Sequence, residues 1–293
     1  MTALFKKEFL RYIFRLETWI LWAVTIFLTG AFFGIFHVYF KYASISYTLV
    51  FVGYADTILI PILACRLYSD VAKSGEERWL ASCSVSWDQR VTARYLAALS
   101  VVLIGNAPLL LLPLILKSSS ISPAVSYGLI GLFYLLLACL VSFSMFASSF
   151  FKKRLPGTLI SILCLGIMLI SSSLMHKIPA APLVSYIIFL FLSWIWLPFF
   201  RWITHRWLPA ILVPVGCMVA DTVLFIAAPQ ILHGAVAAFF DHITVYTWFS
   251  YFSAGVLPIG GVLFYLLFTL CFMRLTKNAQ VQQYVSQEVK SHD

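Results

Sequence analysis

Two carboxylates of this sequence fall inside long apolar runs, where ionisable groups are costly. Asp56 lies in the run over 46–65, and Asp221 lies in the run over 208–229. A charged group in a bilayer core faces a charged partner, a water-filled cavity or a substrate path. Both residues are therefore candidates for a polar site on such a path. The structural alternative is a polar contact between neighbouring helices, which for Asp56 would be a hydrogen bond to a Tyr or Ser.

Hydrolytic and metal chemistry have little support in the pattern of reactive side chains. No His-Glu-x-x-His motif occurs, and Glu76 and Glu77 lack the arginine spacing of membrane-embedded Glu-Glu-x-x-x-Arg proteases. His233, Asp241 and His242 could meet on the outer side, but their spacing is looser than that of a metal site. Six cysteines match neither a CxxC pair nor a zinc pattern. We therefore predict no catalytic residue, no metal site and no cofactor bound by this chain.

The most distinctive charged stretch begins at Arg66. It carries charges on both sides of Ser74 and Gly75 and then becomes a short amphipathic run. Exposed Trp and Arg are residue types that anchor interfaces, so the stretch predicts a segment that presents a short helix to a soluble partner. A solvated connection is the alternative. The candidate docking residues are Asp70, Lys73, Gly75, Glu76, Glu77, Arg78, Trp79 and Leu80.

The elements that must position these residues are predicted to be membrane helices. The chain of 293 residues is 62% hydrophobic and 11% charged, whereas a soluble domain carries roughly 25% charged residues. A bilayer core needs about 20 mostly apolar residues per helix. The predicted fold is all-α, a single polytopic transmembrane bundle over 1–293 with about eight spans. The spans are expected at Trp19–Val38, Ser46–Cys65, Tyr95–Leu116, Ala124–Phe150, Pro156–Met175, Leu183–Phe200, Leu208–Pro229 and Gly255–Met273.

The distribution of positive charge predicts the orientation of the bundle. Only Lys41, Lys117 and Lys177 of the 20 Lys and Arg residues fall in segments assigned to the outer side, which leaves 17 inside. Cytoplasmic loops collect Lys and Arg, so both termini are expected in the cytoplasm. The largest cytoplasmic segment is then 66–94, and the largest extracytoplasmic segment is 230–254. The basic residues that give the net charge of +9 flank the spans. This placement indicates that they contact anionic lipid head groups and do not bind nucleic acid.

Residues 2–17 are predicted to form an amphipathic helix. Its apolar residues share one helical face, and its basic residues mostly occupy the others; the apolar set is Leu4, Phe5, Phe9, Tyr12 and Ile13. A basic amphipathic helix lies flat at the membrane interface. We favour this over a simple helical start to the first span, because the charge lies where anionic lipids attract it.

Three stretches match the pattern of a known family in order and spacing. The first follows the second span and keeps Arg66, Leu67, Tyr68, Asp70, Lys73, Ser74, Gly75, Leu80, Ser82, Val85 and Ser86 of that pattern. It departs at Val71, Glu76, Arg78 and Ser84. The chain resembles the ABC-2 type permeases of the gliding-motility and nitrous-oxide-accessory group. The resemblance covers about 1–175 and 240–275.

The other two stretches lie near the fourth and the last span. Ser148–Arg154 resembles the family stretch that ends the fourth span, and Trp248–Val256 resembles the one before the last span. In the last of these, Trp248, Phe249 and Phe252 are candidates for an extracytoplasmic gate. The family usually has six spans, so the region 183–229 would contribute two more.

The resemblance implies the permease subunit of an ABC transporter, an exporter of the bacterial cytoplasmic membrane. It also implies that the segment 66–94 docks on a separate ATPase, and that the permease dimerises with a second copy or a paralogue. The sequence contains no G-x-x-x-x-G-K-[ST] motif, so ATP and Mg²⁺ would be bound by the partner. The alternative is a stand-alone secondary transporter or a membrane-embedded enzyme. Secondary transporters often carry inverted repeats, and we find no convincing internal symmetry.

Overall fold

The computed structural model describes residues 2–42, 44–74, 85–116, 123–151, 154–204, 207–245, 247 and 259–292. Every regular element within these ranges is helical. The all-α class predicted from the sequence is therefore confirmed for this part of the chain. The helices group into two compact units, Met1–Ile167 with Trp248–Asp293, and Met168–Thr247.

The helix bounds follow in chain order. They are α1 (Thr2–Ile13), α2 (Leu16–Phe33) with a π-helical turn at Gly34–Tyr39, α3 (Ser46–Ser74), α4 (Trp87–Gly105), a 3₁₀ turn at Ala107–Leu111, α5 (Leu112–Ile115), α6 (Pro123–Ser149), α7 (Arg154–Met175), α8 (Pro182–Thr204), α9 (Trp207–Ala227), α10 (Ala235–Ile243) and α11 (Ile259–His292).

Several of these helices are long and apolar enough to cross a membrane. Among the described residues four meet that test alone: Leu16–Tyr39, Ser46–Cys65, Ala124–Ser149 and Ile259–Tyr284. A fifth candidate is α4 together with Ala107–Ile115, which are bent by 48° relative to each other. Shorter apolar helices cover the fifth, sixth and seventh predicted spans, at Leu155–Ser171, Pro182–Ile195 and Ile211–Ala227. By length and composition these helices are suited to a membrane bundle, while eight spans and two cytoplasmic termini stay predictions.

The core of the first unit is built around α6. Helices α3, α4 and α11 pack against it, and Leu137 and Leu140 are completely buried there. On α4, the side chains of Ala93, Ala97 and Ala98 are also fully buried. Small residues allow membrane helices to approach closely, which explains how α4 packs against its neighbours along its length.

The break after α4 has a visible cause in the sequence. The helix ends at Gly105 with Asn106 as its C-cap, and Pro108 follows in the 3₁₀ turn. Pro108 has no N–H to continue a helical ladder. A Cβ at Gly105 would lie 2.7 Å from Cδ1 of Trp22, so only glycine leaves room for this indole. The Trp22 indole N–H donates to the carbonyl of Val101 at 2.9 Å. Helix α2 is thus fixed against the end of α4.

The N-terminal region forms a corner between two helices. Helix α1 ends at Ile13, and α2 begins after Arg15, so the helix predicted over 2–17 is interrupted before its end. The indole N–H of Trp19 donates to the Ile13 carbonyl at 2.9 Å and fixes the corner. Helix α1 packs against α4 and buries Glu8 and Tyr12. One face of this helix therefore contacts protein and includes a carboxylate.

The second unit contains the end of α7 together with α8, α9 and α10. Helices α8 and α9 pack side by side. The hydroxyls of Tyr186 and Thr222 lie 3.3 Å apart, and the rings of Tyr186 and Phe225 stack at 4.8 Å. Ser171 and Thr244 share a buried hydrogen bond of 3.2 Å. Polar contacts of this kind hold apolar helices together where lipid offers no hydrophobic driving force.

Candidate functional site

The predicted docking segment, 66–94, includes the end of α3 and the start of α4. The apolar window of α3 ends at Cys65, but the helix continues to Ser74. The backbone positions of Asp70 and Lys73 belong to this extension. The described chain resumes at Val85. The other docking candidates lie outside the described residues: Gly75, Glu76, Glu77, Arg78, Trp79 and Leu80.

A buried ion cluster joins α1 to α4. Oε1 of Glu8 lies 3.6 Å from Nε of Arg94, and Oε2 lies 3.3 Å from Nη1 of Arg11. The Glu8 side chain is 0% exposed and that of Arg94 is 1% exposed. A buried charge is tolerated when it is paired and hydrogen-bonded. We call Glu8, Arg11 and Arg94 the α1–α4 ion cluster.

The first turn of α4 holds the end of the segment in place. Arg90 is buried, and its Nη2 donates to the carbonyl of Val85 at 3.0 Å. Its guanidinium carbon lies 4.6 Å from the ring centroid of Trp87, within the range of a cation–π contact. The Ser86 hydroxyl oxygen accepts the N–H of Gln89 at 3.4 Å and caps the helix. The C-terminal end of the segment is therefore attached to α4 by side-chain contacts.

Helix α11 contacts the same turn. Nζ of Lys277 lies 2.6 Å from Oδ2 of Asp88, and Nη1 of Arg274 lies 3.5 Å from Oδ1. The rings of Trp87 and Tyr284 meet edge to face at 5.5 Å. Asp88 is 54% exposed, and exposed pairs contribute little to stability. Their effect here is to orient the C-terminal helix beside the start of α4.

A second polar site lies where α4 breaks. Asp56 on α3 and Asn106 at the break are both 2% exposed, and the Asn106 side chain is a hydrogen-bond partner of Asp56. The hydroxyl of Tyr134 on α6 donates to the Asn106 carbonyl at 3.2 Å. Among the described residues, Oδ2 of Asp56 and Oδ1 of Asn106 have no hydrogen-bond partner. Three helices thus meet around two unsatisfied, buried oxygens.

This second site differs in one respect from the sequence expectation. The structural alternative for Asp56 was a hydrogen bond to Tyr or Ser, and the observed partner is the amide of Asn106. Unsatisfied buried acceptors are rare and call for an explanation. Chemically, both oxygens can accept a hydrogen bond from an N–H or O–H group of a substrate or bind a cation, and the carboxylate of Asp56 can also accept a proton.

The remaining candidates lie in the second unit or outside the described residues. Asp221 lies on α9 in the second unit, partly exposed. In the same unit, Nε2 of His176 lies 2.9 Å from Oδ2 of Asp241. No group of three metal-binding side chains occurs among the described residues, and His233 and His242 form no such group with Asp241. The gate candidates Trp248, Phe249 and Phe252 lie outside the described part of the chain.

Sequence reasoning missed three residues of these sites. Arg94 was used only to predict the orientation, and Glu8 was not singled out. Glu8 is the single acid of α1 and precedes Arg11 by three residues. That spacing puts the acid and the base on one helical face. Asn106 was not singled out, although it is the polar residue just before Pro108 in an apolar run. An isolated polar residue before a proline is the signal that could have identified the break.

Comparison with known proteins adds no family assignment. No family model, curated protein or solved structure matches this chain. The resemblance to ABC-2 permeases rests on the motifs quoted above, and the function it implies is a proposal.

Proposed function

We propose that this chain is the membrane-spanning permease subunit of an ABC transporter, an exporter driven by a separate ATP-binding subunit. The observation that carries the proposal is the extension of α3 from Cys65, where its apolar window ends, to Ser74. At 1.5 Å per residue, this extension is about 14 Å long. A charged segment held at that distance from the bilayer is suited to docking on a soluble subunit.

The contacts around α4 support a mechanical role for the segment. Arg90 binds the carbonyl of Val85 at the end of the segment, and Arg94 on the same helix binds buried Glu8. Helix α4 then leads to the break at Asn106. A closing ATPase that displaces the segment would therefore move α4 as one rigid helix.

The location and partners follow from the same proposal. The protein is a multi-pass protein of the bacterial cytoplasmic membrane with both termini in the cytoplasm. It works as a dimer with a second copy or a paralogue. ATP and Mg²⁺ are bound by the partner, because the sequence contains no G-x-x-x-x-G-K-[ST] motif.

Reporter fusions test the orientation. Fusions after Lys117 and Lys177 should report the outer side, and fusions after Arg154 and Arg206 should report the cytoplasm, as the basic asymmetry of the chain requires. A cytoplasmic signal after Lys177 would contradict the count of eight spans.

Copurification tests the function itself. The chain, expressed with its genomic neighbours and extracted in mild detergent, should retain a P-loop ATPase in stoichiometric amount. Proteoliposomes of the complex should hydrolyse ATP and move a substrate only with nucleotide present. A purified chain that carries no ATPase and transports under an ion gradient alone would contradict the proposal.

The second candidate function is that of a secondary transporter, which would transport under an ion gradient without an ATPase. The observation in its favour is the pair of buried, unsatisfied oxygens on Asp56 and Asn106 beside a broken helix. Secondary transporters form ion and substrate sites at discontinuous helices near the middle of the membrane. Transport by this class would need no nucleotide and would stop when the ion gradient is removed.

A further inference from the structure

The pair of Asp56 and Asn106 at the break of α4 contains a hydrogen-bonding mismatch. Both residues are 2% exposed, and the Asn106 side chain is a hydrogen-bond partner of Asp56. Within the described residues, Oδ2 of Asp56 and Oδ1 of Asn106 are left without a donor. A carboxylate oxygen and an amide oxygen are both acceptors, so they cannot satisfy each other. Because unsatisfied buried acceptors are rare, the pair is missing one donor.

A second contact fixes the orientation of the Asn106 amide. Its Nδ2 donates to the carbonyl of Val102 at 3.2 Å. An amide nitrogen has two N–H donors, so one is directed to Val102 and the other is left for Asp56. An amide turned the other way would point its oxygen at the Val102 carbonyl, which is also an acceptor. The unsatisfied Oδ1 therefore belongs to the site in its observed orientation.

The surroundings of Asp56 favour an occupant with positive charge. Asp56 lies inside the apolar window of α3, and among the described residues its carboxyl group has no ion-pair partner. Helix α4 ends at Gly105, directly before Asn106, and the C-terminus of a helix carries partial negative charge. A buried carboxylate is tolerated when it is paired. A positive charge placed between the two oxygens would supply the pairing that the protein side chains do not.

A proton satisfies this site more completely than a metal ion does. Hard cations such as Mg²⁺ and Ca²⁺ take six or more oxygen ligands, whereas the pair offers two unsatisfied oxygens. Carbonyls of the same two helices already have side-chain donors, since the Thr57 hydroxyl donates to Gly53 at 2.8 Å and Asn106 donates to Val102. A proton on Oδ2 of Asp56 turns that oxygen into a donor, and Oδ1 of Asn106 is the acceptor that it needs.

We propose that Asp56 binds one proton on Oδ2 and forms a neutral, cyclic acid–amide pair with Asn106. Nδ2 of Asn106 donates to Oδ1 of Asp56, and the protonated Oδ2 donates to Oδ1 of Asn106. The proton comes from solvent, and no other bond changes. This site holds for either candidate function. For a secondary transporter it makes the proton the coupling ion, and that consequence alone rests on the second candidate function.

Infrared difference spectroscopy of the intact protein in nanodiscs tests the site without a transport assay. At about pH 6, only about 1% of ordinary aspartate side chains are protonated. The spectrum of wild type minus Asp56→Asn should contain the C=O band of one protonated carboxyl group, and the band should shift in heavy water. Asp56→Asn should stay folded, because its amide can make both hydrogen bonds to Asn106. The control is Asp88→Asn, which removes an exposed aspartate paired with Lys277 and should remove only bands of an ionised carboxylate.

Two further measurements separate the proton from other occupants. Asn106→Leu removes the amide donor, so the C=O band of Asp56 should move to higher frequency. Replacement of choline chloride by sodium chloride should leave the band of the wild type in place, and loss of the band in sodium would overturn the proposal. A water molecule that donates to both oxygens would leave the carboxyl group ionised, so absence of the protonated band would overturn it too. A protein that shows the band but no transport under a proton gradient supports the proton site and contradicts only the second candidate function.

Discussion

Removal of Glu8 should destabilise the protein strongly although it changes a single side chain of the N-terminal helix. Glu8→Gln leaves the Arg94 guanidinium, which is 1% exposed, without its carboxylate at 3.6 Å. At an effective dielectric constant of 20, the attraction over this distance is about 5 kcal/mol. Desolvation of both ions offsets much of that gain in the intact pair, but removal of one partner from a buried ion pair costs about 3–5 kcal/mol.

The assay is the free energy of unfolding in mixed micelles with increasing SDS, followed by circular dichroism. Glu8→Gln and Arg94→Met should each lose about 3–5 kcal/mol, whereas the double variant Glu8→Met with Arg94→Met should lose less than the sum of the singles. Asp88→Asn, which removes an exposed ion pair between α4 and α11, is the matched control and should change little. Single variants that stay within about 0.5 kcal/mol of wild type, the range of neutral surface changes, would refute a buried ion cluster.

Two further predictions concern the break in α4. Gly105→Ala places a Cβ 2.7 Å from the indole of Trp22 and should cost about 1–3 kcal/mol of stability by overpacking. Gly131→Ala is the control, because its new Cβ has no atom within 4 Å, and it should not destabilise the protein. Equal melting temperatures for the two variants would contradict the close contact. Asp56→Leu removes one of two partners of the buried Asn106 amide, which also donates to the Val102 carbonyl at 3.2 Å, and should cost about 1–3 kcal/mol. Asp56→Asn keeps an amide oxygen there and should melt closer to wild type. The reverse order would show that Asp56 pairs elsewhere.

The positions of the membrane helices could be predicted because the bilayer fixes the length of an apolar run. The second and fourth spans were expected at Ser46–Cys65 and Ala124–Phe150, and the apolar windows of α3 and α6 are Ser46–Cys65 and Ala124–Ser149. These boundaries follow from composition alone, since each helix satisfies its own backbone hydrogen bonds. No tertiary contact has to be known to find them.

The two polar sites could not be predicted in the same way. Glu8 and Arg94 are far apart in the sequence, and their pairing exists only because α1 packs on α4. Pro108 indicates that a helix can bend there, but it does not indicate that Asp56 on another helix meets Asn106 at the bend. Asp56 and Asp221 gave the same signal in the sequence, an acid in an apolar run. The structure distinguishes them by burial and by partner.

The central claim is that the segment 66–94, which includes Trp79, binds a separate ATPase. The most direct measurement is the affinity of the purified ATPase for this protein in detergent, by biolayer interferometry. Wild type, Trp79→Ala and Trp194→Ala are compared. Trp194 is 62% exposed on α8 and serves as a matched tryptophan outside the segment. Loss of a buried aromatic anchor costs at least about 2 kcal/mol, so Trp79→Ala should bind about 30-fold more weakly, while Trp194→Ala binds like wild type. Equal affinity of all three proteins for the ATPase would contradict the claim.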